Sequence, residues 1–546
     1  MRPSARWGLI LVALLAGSCS KCARETPAAA TPEWLAGAYV PEEAKAPQRG
    51  GTLTVRLATE PLGFTRFHDR LGEGLIVRAT TGTIYECLAR LDPERPDGPV
   101  VPWLAKSVKL VGAALRVELL PGVVFHDGSS FTSADVKAVL ETILDEKNAT
   151  VSMRSSLGPI ESITFADELN LTITWKSAPS DFMVRTLLAA VPMLPSEALV
   201  GPFEDLPIHR SPIGTGPFRF ESFTPSDRVV LTRFDGHRTP AQLDRLVLRI
   251  VKDDTIAAQL WEKGELDVMT RIPPATWVAV ESAAWAFKGY QRWRIDENAY
   301  SWIGWNRQRP VFSDVRVRRA LAMLYPAEIV SRTVELGLES RTSCPFYVRS
   351  QSCDPSVVPL PFDPKAAGAL LDEAGWPLVD GQRVKDGKRL EFSFLVVTTS
   401  QRLTRVTALF QEQLAKAGIT MTLEPVDGSQ LVARMRAHDF DAAALSWASP
   451  DAVTDQYELF HSSQIDGGKN YVGLNDGAVD ALLSQIRTTM GSERRALEQQ
   501  LHRRLFDDQV YLFLTARPAL DAVKRRVHGL RPSLVGYDFS KAWVDP

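Results

Sequence analysis

The most restrictive feature of this 546-residue chain lies at its N-terminus, where a ten-residue apolar run, residues 7–16, follows Arg2 and Arg6. A charged start, a short apolar centre and the small residues that come next form the pattern of a cleavable secretory signal. The apolar run is too short to cross a hydrocarbon core, which needs about 20 residues. The sequence therefore predicts a signal peptide over residues 1–18, so the remaining chain must fold outside the cytoplasm.

Cys19 directly follows these small residues, in an arrangement that resembles a bacterial lipobox. In such a motif the cysteine thiol receives a diacylglycerol and becomes the mature N-terminus. Cys22 fits less well, because Lys21 precedes it. We expect lipidation at Cys19 and a periplasmic protein anchored to a cell membrane by its N-terminal lipid; the alternative is an ordinary secretory signal with an unrelated cysteine. Residues 19–49, rich in Ala, Pro, Thr and Glu, predict a flexible tether.

Composition is that of an ordinary globular protein, with 45% hydrophobic and 23% charged residues. The formal net charge of −2 gives no basic surface of the kind that binds nucleic acid or an anionic membrane. No segment after residue 18 has the uncharged apolar length that a transmembrane helix needs. Because single cores stop growing near ~250–300 residues, a chain of this length is expected to form more than one lobe.

The remaining cysteines and the histidines give no sign of a metal centre or a catalytic set. Cys344 and Cys353 lie in one Pro/Ser-rich loop and are candidates for a short disulfide in an oxidising compartment. A zinc site is disfavoured, because no histidine near these two cysteines completes a set of four ligands. The sequence contains no GxSxG or HExxH motif. We therefore expect neither an enzyme nor a bound cofactor or metal.

Strand and helix patterns mix along the folded part without a strict strand–helix–strand rhythm. The alternating segment that follows Gly51 predicts a half-buried strand. Thr132 is a plausible N-cap, with Asp135 in the acidic first turn of a helix. Residues 403–418 predict an amphipathic helix that stops at a glycine. Two Asp-Gly pairs predict the tight turns of hairpins: Asp380-Gly381 and Asp386-Gly387.

A series of short motifs follows in a fixed order from about Gly51 to the C-terminus. The most distinctive is Phe125-His126-Asp127-Gly128, followed by Phe131-Thr132-Ser133-Ala134-Asp135-Val136. The others include Ile84-Tyr85-Glu86-Cys87-Leu88, Gly214-Thr215-Gly216-Pro217-Phe218, Lys263-Gly264-Glu265-Leu266-Asp267-Val268, Trp305-Asn306 and Asp439-Phe440-Asp441 before Trp447. In content and order these motifs resemble those of the bacterial extracellular solute-binding proteins of family 5, which serve dipeptide, oligopeptide and nickel ABC transporters.

The resemblance implies an α/β protein with a large, type II, two-lobed periplasmic-binding-protein-like fold and an additional inserted subdomain. Lobe I would comprise residues 50–94, 206–300 and 508–546, the inserted subdomain residues 95–205, and lobe II residues 301–507. A cleft between the lobes would engulf the ligand.

The function implied is that of a monomeric substrate-binding lipoprotein of an ABC importer. It would capture a peptide or peptide-like ligand by hinge closure and deliver it to permease subunits of the inner membrane, with no nucleic-acid partner. Two alternatives stay open: a binding protein for a non-peptide solute, such as a metal chelate or an oligosaccharide, and a secreted hydrolase.

The segment around Trp447 departs from the family's pattern at two positions. Family members commonly carry, three residues after this tryptophan, an aspartate that takes a peptide's amino terminus, whereas this chain has Pro450 and then Asp451. Oligopeptide binders can place an arginine for the ligand carboxylate where this chain has Ala444. We expect Asp451 to pair with a ligand amine and Trp447 to pack against the adjoining apolar part. The alternative for Asp451 is a cap of its own loop.

Trp305 and Asn306 are the other two candidate ligand contacts. An aromatic side chain that lines a cleft offers a large apolar contact area and loses little conformational entropy when a ligand binds. Core packing is the alternative role for a tryptophan. The Asn306 amide follows an apolar run, where it can bond either to the backbone of a ligand or to the hinge.

Overall fold

The structure is a computed structural model that describes residues 46–69, 81–93, 96, 98–281, 283–398, 400–449 and 451–545. The predicted signal peptide, Cys19 and most of the predicted tether lie outside these residues. Within the ranges described, no helix is long and apolar enough to cross a membrane.

A mixed seven-stranded sheet is the larger of the two main sheets. Its strand Thr52–Leu57 alternates as predicted and sends Leu53, Val55 and Leu57 into a buried core. It pairs in parallel with a strand on either side. In spatial order the strands are Tyr290–Asp296, Pro518–Lys524, Val268–Met269, Thr52–Leu57, Arg245–Ile250, Arg228–Arg233 and Phe218–Thr224.

A mixed five-stranded sheet carries an apolar core on each face. Ile303 and Trp305 of one central strand enter the first core, and Tyr300 and Trp302 enter the second, because successive side chains in a strand point to opposite faces. In spatial order the strands are Thr420–Val426, Glu391–Val397, Ala442–Ser449, Asn298–Trp305 and Tyr511–Phe513.

A four-stranded antiparallel sheet with three helices is inserted in the sequence between strands of the seven-stranded sheet. Its first helix begins at the predicted N-cap: the Thr132 N–H donates to the Asp135 carboxylate at 2.8 Å. The strands, in spatial order, are Ala105–Val111, Ala114–Leu119, Asn170–Trp175 and Ile160–Phe165, and the helices are Ser133–Leu144, Val151–Leu157 and Asp181–Ala190.

The chain passes between the two large sheets at two places. Glu297 alone separates strand Tyr290–Asp296 of the first sheet from strand Asn298–Trp305 of the second. Strand Tyr511–Phe513 leads back to Pro518–Lys524 through four residues. The two passages run beside each other, because their strands pair in both sheets. Two adjacent extended connections have the form of a hinge.

The other helices and short strands cover or connect these sheets. Asp380 and Asp386 have φ of +48° and +51° in the turns of a small three-stranded sheet, so both Asp-Gly turns are confirmed. The helices are Asp254–Glu262, Pro274–Ala279, Ala284–Gly289, Val315–Met323, Ala327–Val330, Pro364–Glu373, Gln401–Lys416, Gly428–Arg436, Tyr457–Phe460, Gly477–Ile486 and Gly491–Asp507. The short strands are Ala89–Arg90, Val101–Pro102, Ser340–Arg341, Leu378–Val379, Gln382–Lys385, Lys388–Arg389, Thr515–Ala516, Val527–His528 and Trp543–Val544.

Candidate ligand-binding site

A cavity of about 590 Å³ lies between the helices of the inserted sheet and the end of strand Ala442–Ser449. This volume falls in the ~300–1,000 Å³ range of small-ligand sites. Residues 66–69 after the first strand and residues 535–538 near the C-terminus complete the walls. The lining mixes charged groups with aromatic ones and includes His68, Asp69, Arg90, Trp103, Phe182, Asp451 and Asp538.

Asp451 is the predicted site residue that the structure places in this cavity. Its Oδ1 accepts hydrogen bonds from Nη2 of Arg185 at 3.2 Å and from the Val453 N–H at 3.0 Å. The second of these bonds caps the loop, so the alternative role is present as well. Its Oδ2 makes no hydrogen bond with the described residues and can accept one from a ligand. The Asn298 amide donates to the Asp451 carbonyl at 2.6 Å and ties this loop to the hinge strand.

Arg185 holds Asp451 from the opposite wall of the cavity. It lies on helix Asp181–Ala190, its side chain is 5% exposed, and its guanidinium donates to the backbone carbonyls of Pro96 and Gly98. The pair joins the inserted helices to the strand end of the five-stranded sheet. Two other contacts join the same parts of the molecule: Ser155 to Glu458 at 3.1 Å, and Arg494 to Asp181 at 3.0 Å. The cavity is therefore enclosed between two bodies that touch.

The electrostatics of Asp451 follow from this enclosure. Burial raises the pKa of the Asp451 carboxyl above its ordinary value, and the positive charges of Arg185 and Arg66 oppose that rise. A desolvated carboxylate gains from a cationic ligand as well, because water no longer competes for it. The free Oδ2 thus suits an ammonium group.

Trp447 lies behind the cavity lining. Its ring stacks on Trp302 with ring centroids 5.7 Å apart and on Tyr471 at 5.9 Å. The side chain is partly exposed. The stack supports the strand end that leads to Asp451. Packing of Trp447 against a ligand stays a prediction.

Trp305 and Asn306 are placed in the interior, which corrects our expectation that they line the cleft. Trp305 is fully buried against Phe312 and Phe392. The Asn306 amide is also fully buried and donates to the carbonyls of His438 and Phe440 at 2.9 and 2.8 Å. Trp305 also lies near Phe410 of helix Gln401–Lys416, which covers the five-stranded sheet. The structure thus gives both residues a role in the core, which is the alternative noted for the tryptophan.

The sequence model for bacterial extracellular solute-binding proteins, family 5 Middle, matches residues 99–467. The chain belongs to this family. Family 5 proteins are periplasmic solute-binding proteins of transporters and are not enzymes, so this chain is a solute-binding protein with their two-lobed α/β fold.

Relatives of this family 5 protein are similar along almost its whole length. The oligopeptide-binding protein AppA of Bacillus subtilis (strain 168) is 27% identical over 517 residues, which cover 91% of this chain and 92% of AppA. Its structure in complex with a nonapeptide has a TM-score of 0.74 and covers 92% of this chain and 100% of that one. NikA from Brucella suis in complex with Fe(III)-EDTA has the same fold, with a TM-score of 0.78 at 23% identity over 91% of this chain and 100% of NikA.

Several residues in or beside the cavity of this family 5 protein were not predicted from the sequence. Arg185, which contacts Asp451 from behind the lining, was missed. A small cluster was missed as well, in which the Arg90 guanidinium lies 5.6 Å from the Trp103 ring centre and 3.5 Å from the Asp538 carboxylate. These residues come from segments far apart in the chain. The local signal near Arg185 was a helix start at Ser180, whose hydroxyl accepts from the Met183 N–H at 3.1 Å, and this signal carries no functional information.

Proposed function

We propose that this family 5 protein is the substrate-binding lipoprotein of an ABC importer and that it captures a peptide in the interlobe cleft by hinge closure. It then delivers the peptide to permease subunits of the inner membrane. In this proposal, residues 50–94, 206–300 and 508–546 form lobe I, residues 301–507 form lobe II, and residues 95–205 are an insertion in lobe I. The protein acts as a monomer, and a lipid on Cys19 holds it at the membrane.

The observation that carries the peptide assignment is an unpaired strand edge at the cavity. Strand Ala442–Ser449 pairs with Asn298–Trp305 along its full length, but with Glu391–Val397 only at Ala442 and Ala443. Beyond this point, residues 444–449 have no strand partner on that side within the described parts of the chain. An extended peptide can bond to such an edge through its main chain, which gives affinity without dependence on its side chains.

Asp451 supports the same assignment, because it stands at the end of this edge. A peptide that lies along residues 444–449 brings one terminus to the cavity that Asp451 lines. The ammonium of an amino terminus complements the free Oδ2 of a desolvated carboxylate. The names of two relatives are consistent with a peptide ligand. AppA is named an oligopeptide-binding protein, and a Pseudomonas aeruginosa relative, 26% identical over 528 residues, is named a di/tripeptide-binding protein.

The hinge supplies the mechanism of capture. The two adjacent passages between the sheets allow the bodies to separate, and the pairs Arg185–Asp451 and Arg494–Asp181 form only when the bodies meet. A ligand that contacts both walls stabilises the closed form by the difference between its affinities for the two forms. In this proposal, the closed conformation with its bound peptide is the form that docks to the permease.

A thermal-shift screen of the mature chain tests the proposal. Stabilisation by di- to hexapeptides, with no response to oligosaccharides or metal chelates, is the expected result, because a ligand that binds only the folded state raises its melting temperature. Stabilisation by a sugar or a chelate alone would replace the peptide with a non-peptide solute. Small-angle scattering on the same samples should report a smaller radius of gyration in the presence of the stabilising peptide.

The lipid anchor has its own test. Cys19→Ala should release the protein from the membrane fraction into the soluble fraction, while Cys22→Ala, the matched control, should leave it at the membrane. Retention of the Cys19→Ala protein at the membrane would refute the lipid anchor without affecting the peptide assignment.

A further inference from the structure

A disulfide between Cys344 and Cys353, whose Cα atoms are 5.8 Å apart, closes residues 344–353 into a loop. We refer to these residues as the disulfide loop. A cross-link of this kind removes conformations that an open loop of the same length would sample. Arg349 of the loop forms an ion pair with Asp296, the last residue of its strand before the chain first passes between the two large sheets. The disulfide loop is therefore a restrained element beside the hinge.

The neighbour of the disulfide loop is the segment that carries Asp451. Residues 451–456 form neither a helix nor a strand and lie between strand Ala442–Ser449 and helix Tyr457–Phe460. Because no ladder of backbone hydrogen bonds fixes this segment, the position of the Asp451 carboxylate depends on the contacts that surrounding groups make with it.

One end of the disulfide loop contacts this segment directly. The Gln456 side chain, 4% exposed, donates to the Pro345 carbonyl at 3.1 Å. Tyr347 packs in one apolar cluster with Ala452 and Leu534. Ala452 directly follows the cavity aspartate, and Leu534 directly precedes the C-terminal part of the cavity wall. The disulfide loop thus supports two walls of the cavity from behind.

The other end of the disulfide loop reaches the same segment through two buried charged side chains. The Ser352 hydroxyl donates to Glu498, which pairs with Arg494 at 2.7 Å, and the two charged side chains are 4% and 5% exposed. Arg494 also donates to the Thr454 carbonyl at 3.4 Å and, across the cleft, to the Asp181 carboxylate at 3.0 Å. Because the N–H groups of a guanidinium point in fixed directions, an arginine held by one partner also orients the others.

We infer that the disulfide loop is a positioning element of the ligand site, which holds residues 451–456 from behind and so fixes the direction of the Asp451 carboxylate. The structure describes every residue of this loop, and none of them lines the cavity, so the loop acts through Asp451 and not by contact with the ligand. The inference rests on the proposed function, which makes Asp451 the group that takes the ligand. A group that is held in place in advance binds more tightly than one that must be ordered on binding.

Amide hydrogen exchange of the unliganded chain tests the positioning role without a ligand. Tris(2-carboxyethyl)phosphine reduces the disulfide to two thiols and becomes the phosphine oxide, and its oxygen and the two thiol protons come from water. Reduction should accelerate exchange in residues 451–456 by about tenfold or more, because exchange reports local opening. Helix Gln401–Lys416 packs on the opposite face of the five-stranded sheet from Cys344 and should keep its exchange rate.

Three variants separate the disulfide loop from other effects of the reductant. Cys344→Ala/Cys353→Ala should exchange rapidly in residues 451–456 both with and without the phosphine. Gln456→Leu keeps the disulfide but removes the hydrogen bond to the loop, so it should accelerate exchange in the same residues. Gln485→Leu, the same change at an exposed position, should leave their exchange unchanged.

Two results of the exchange measurement would overturn the inference. The first is unchanged exchange in residues 451–456 after reduction. The second is an equal acceleration in helix Gln401–Lys416, since the disulfide would then stabilise the whole lobe and would not position one segment.

Calorimetry with tetra-alanine, free and N-acetylated, measures the effect on ligand binding. The reduced wild type should bind the free peptide about tenfold or more weakly than the oxidised wild type, and it should discriminate less between the two peptides, because a displaced Asp451 no longer takes the ammonium. Discrimination that stays within about threefold of the oxidised value would overturn the inference while leaving peptide capture intact. If tetra-alanine does not bind to the oxidised wild type, the proposed function fails, and the exchange measurement alone decides whether the disulfide loop positions Asp451.

Discussion

The Arg185 guanidinium and the Asp451 carboxylate meet at 3.2 Å although 266 residues separate them in the sequence. The pair spans the cleft, because Arg185 lies on an inserted helix and Asp451 lies at the end of a strand in the five-stranded sheet. One wall of the cavity thus orients a carboxylate of the other. In the proposed function, this pair couples closure of the cleft to recognition of the ligand by Asp451.

Arg185→Gln should weaken peptide binding by about 30-fold or more, because removing one partner of a desolvated charge pair costs about 2–5 kcal/mol. The variant should also be more open than the wild type in small-angle scattering with peptide present. Lys176→Gln, an exposed control just before the same helix, should change neither measurement. Wild-type affinity in Arg185→Gln would show that the pair is incidental to closure.

Peptide binding should weaken as the pH falls, with a midpoint above the ordinary aspartate pKa of about 3.9, because burial raises the pKa of Asp451. Protonation removes the negative charge that pairs with the ligand ammonium. Calorimetry across acidic pH checks this, and Asp451→Asn should remove the added pH dependence. If Asp451→Asn showed the same pH dependence of peptide affinity as the wild type, another titrating group would be responsible for it.

The stability of the unliganded protein should respond to pH in the opposite direction at this residue. A folded-state pKa above the unfolded value means that the folded state binds the proton more tightly. The contribution of Asp451 to the free energy of unfolding is fully present below the pKa that this residue has in the unfolded state. It is lost as the pH rises through the pKa of Asp451 in the folded state. The free energy of unfolding of the wild type relative to Asp451→Asn should therefore fall over this interval, as urea titrations at several pH values would measure.

Gly216→Ala should destabilise the protein by about 2 kcal/mol or more, as strained core substitutions do. A Cβ atom at this position would lie 2.1 Å from the Thr83 carbonyl oxygen. Gly477→Ala is the control, because its Cβ would meet nothing within 4 Å. Urea unfolding of both variants checks the prediction, and similar midpoints for the two would contradict the close approach of the backbone at Gly216 to the turn at Thr83.

Local features of the fold could be predicted because neighbouring residues determine them. The start of a helix at Thr132 depends on Asp135 three residues later, and the turns at Asp380 and Asp386 depend on the glycine that follows each. The disulfide between Cys344 and Cys353, with Cα atoms 5.8 Å apart, joins two positions of one loop.

The site was predicted only in part, because long-range packing assembles it. Asp451 was predicted from its position after Trp447 in the family's pattern, and the structure places it in the cavity lining. Arg185 has no local pattern that sets it apart from other arginines, and only the fold brings it to Asp451. Trp305 and Asn306 follow the hinge in sequence, yet the alternation of the strand turns the first into the core, and backbone carbonyls of a neighbouring loop engage the second.

The central claim, that Asp451 grips the amino terminus of a peptide, is tested most directly by titrating wild type and Asp451→Asn with the same peptide in free and N-acetylated forms. Acetylation of the peptide should lower its affinity for the wild type by about 30-fold or more. Asp451→Asn should bind the free peptide about 30-fold or more weakly than the wild type does. The two losses of affinity should not add, since both changes remove the same interaction. A change of less than about threefold in Asp451→Asn, which is under ~1 kcal/mol, would contradict the account and leave Asp451 as a cap of its own loop.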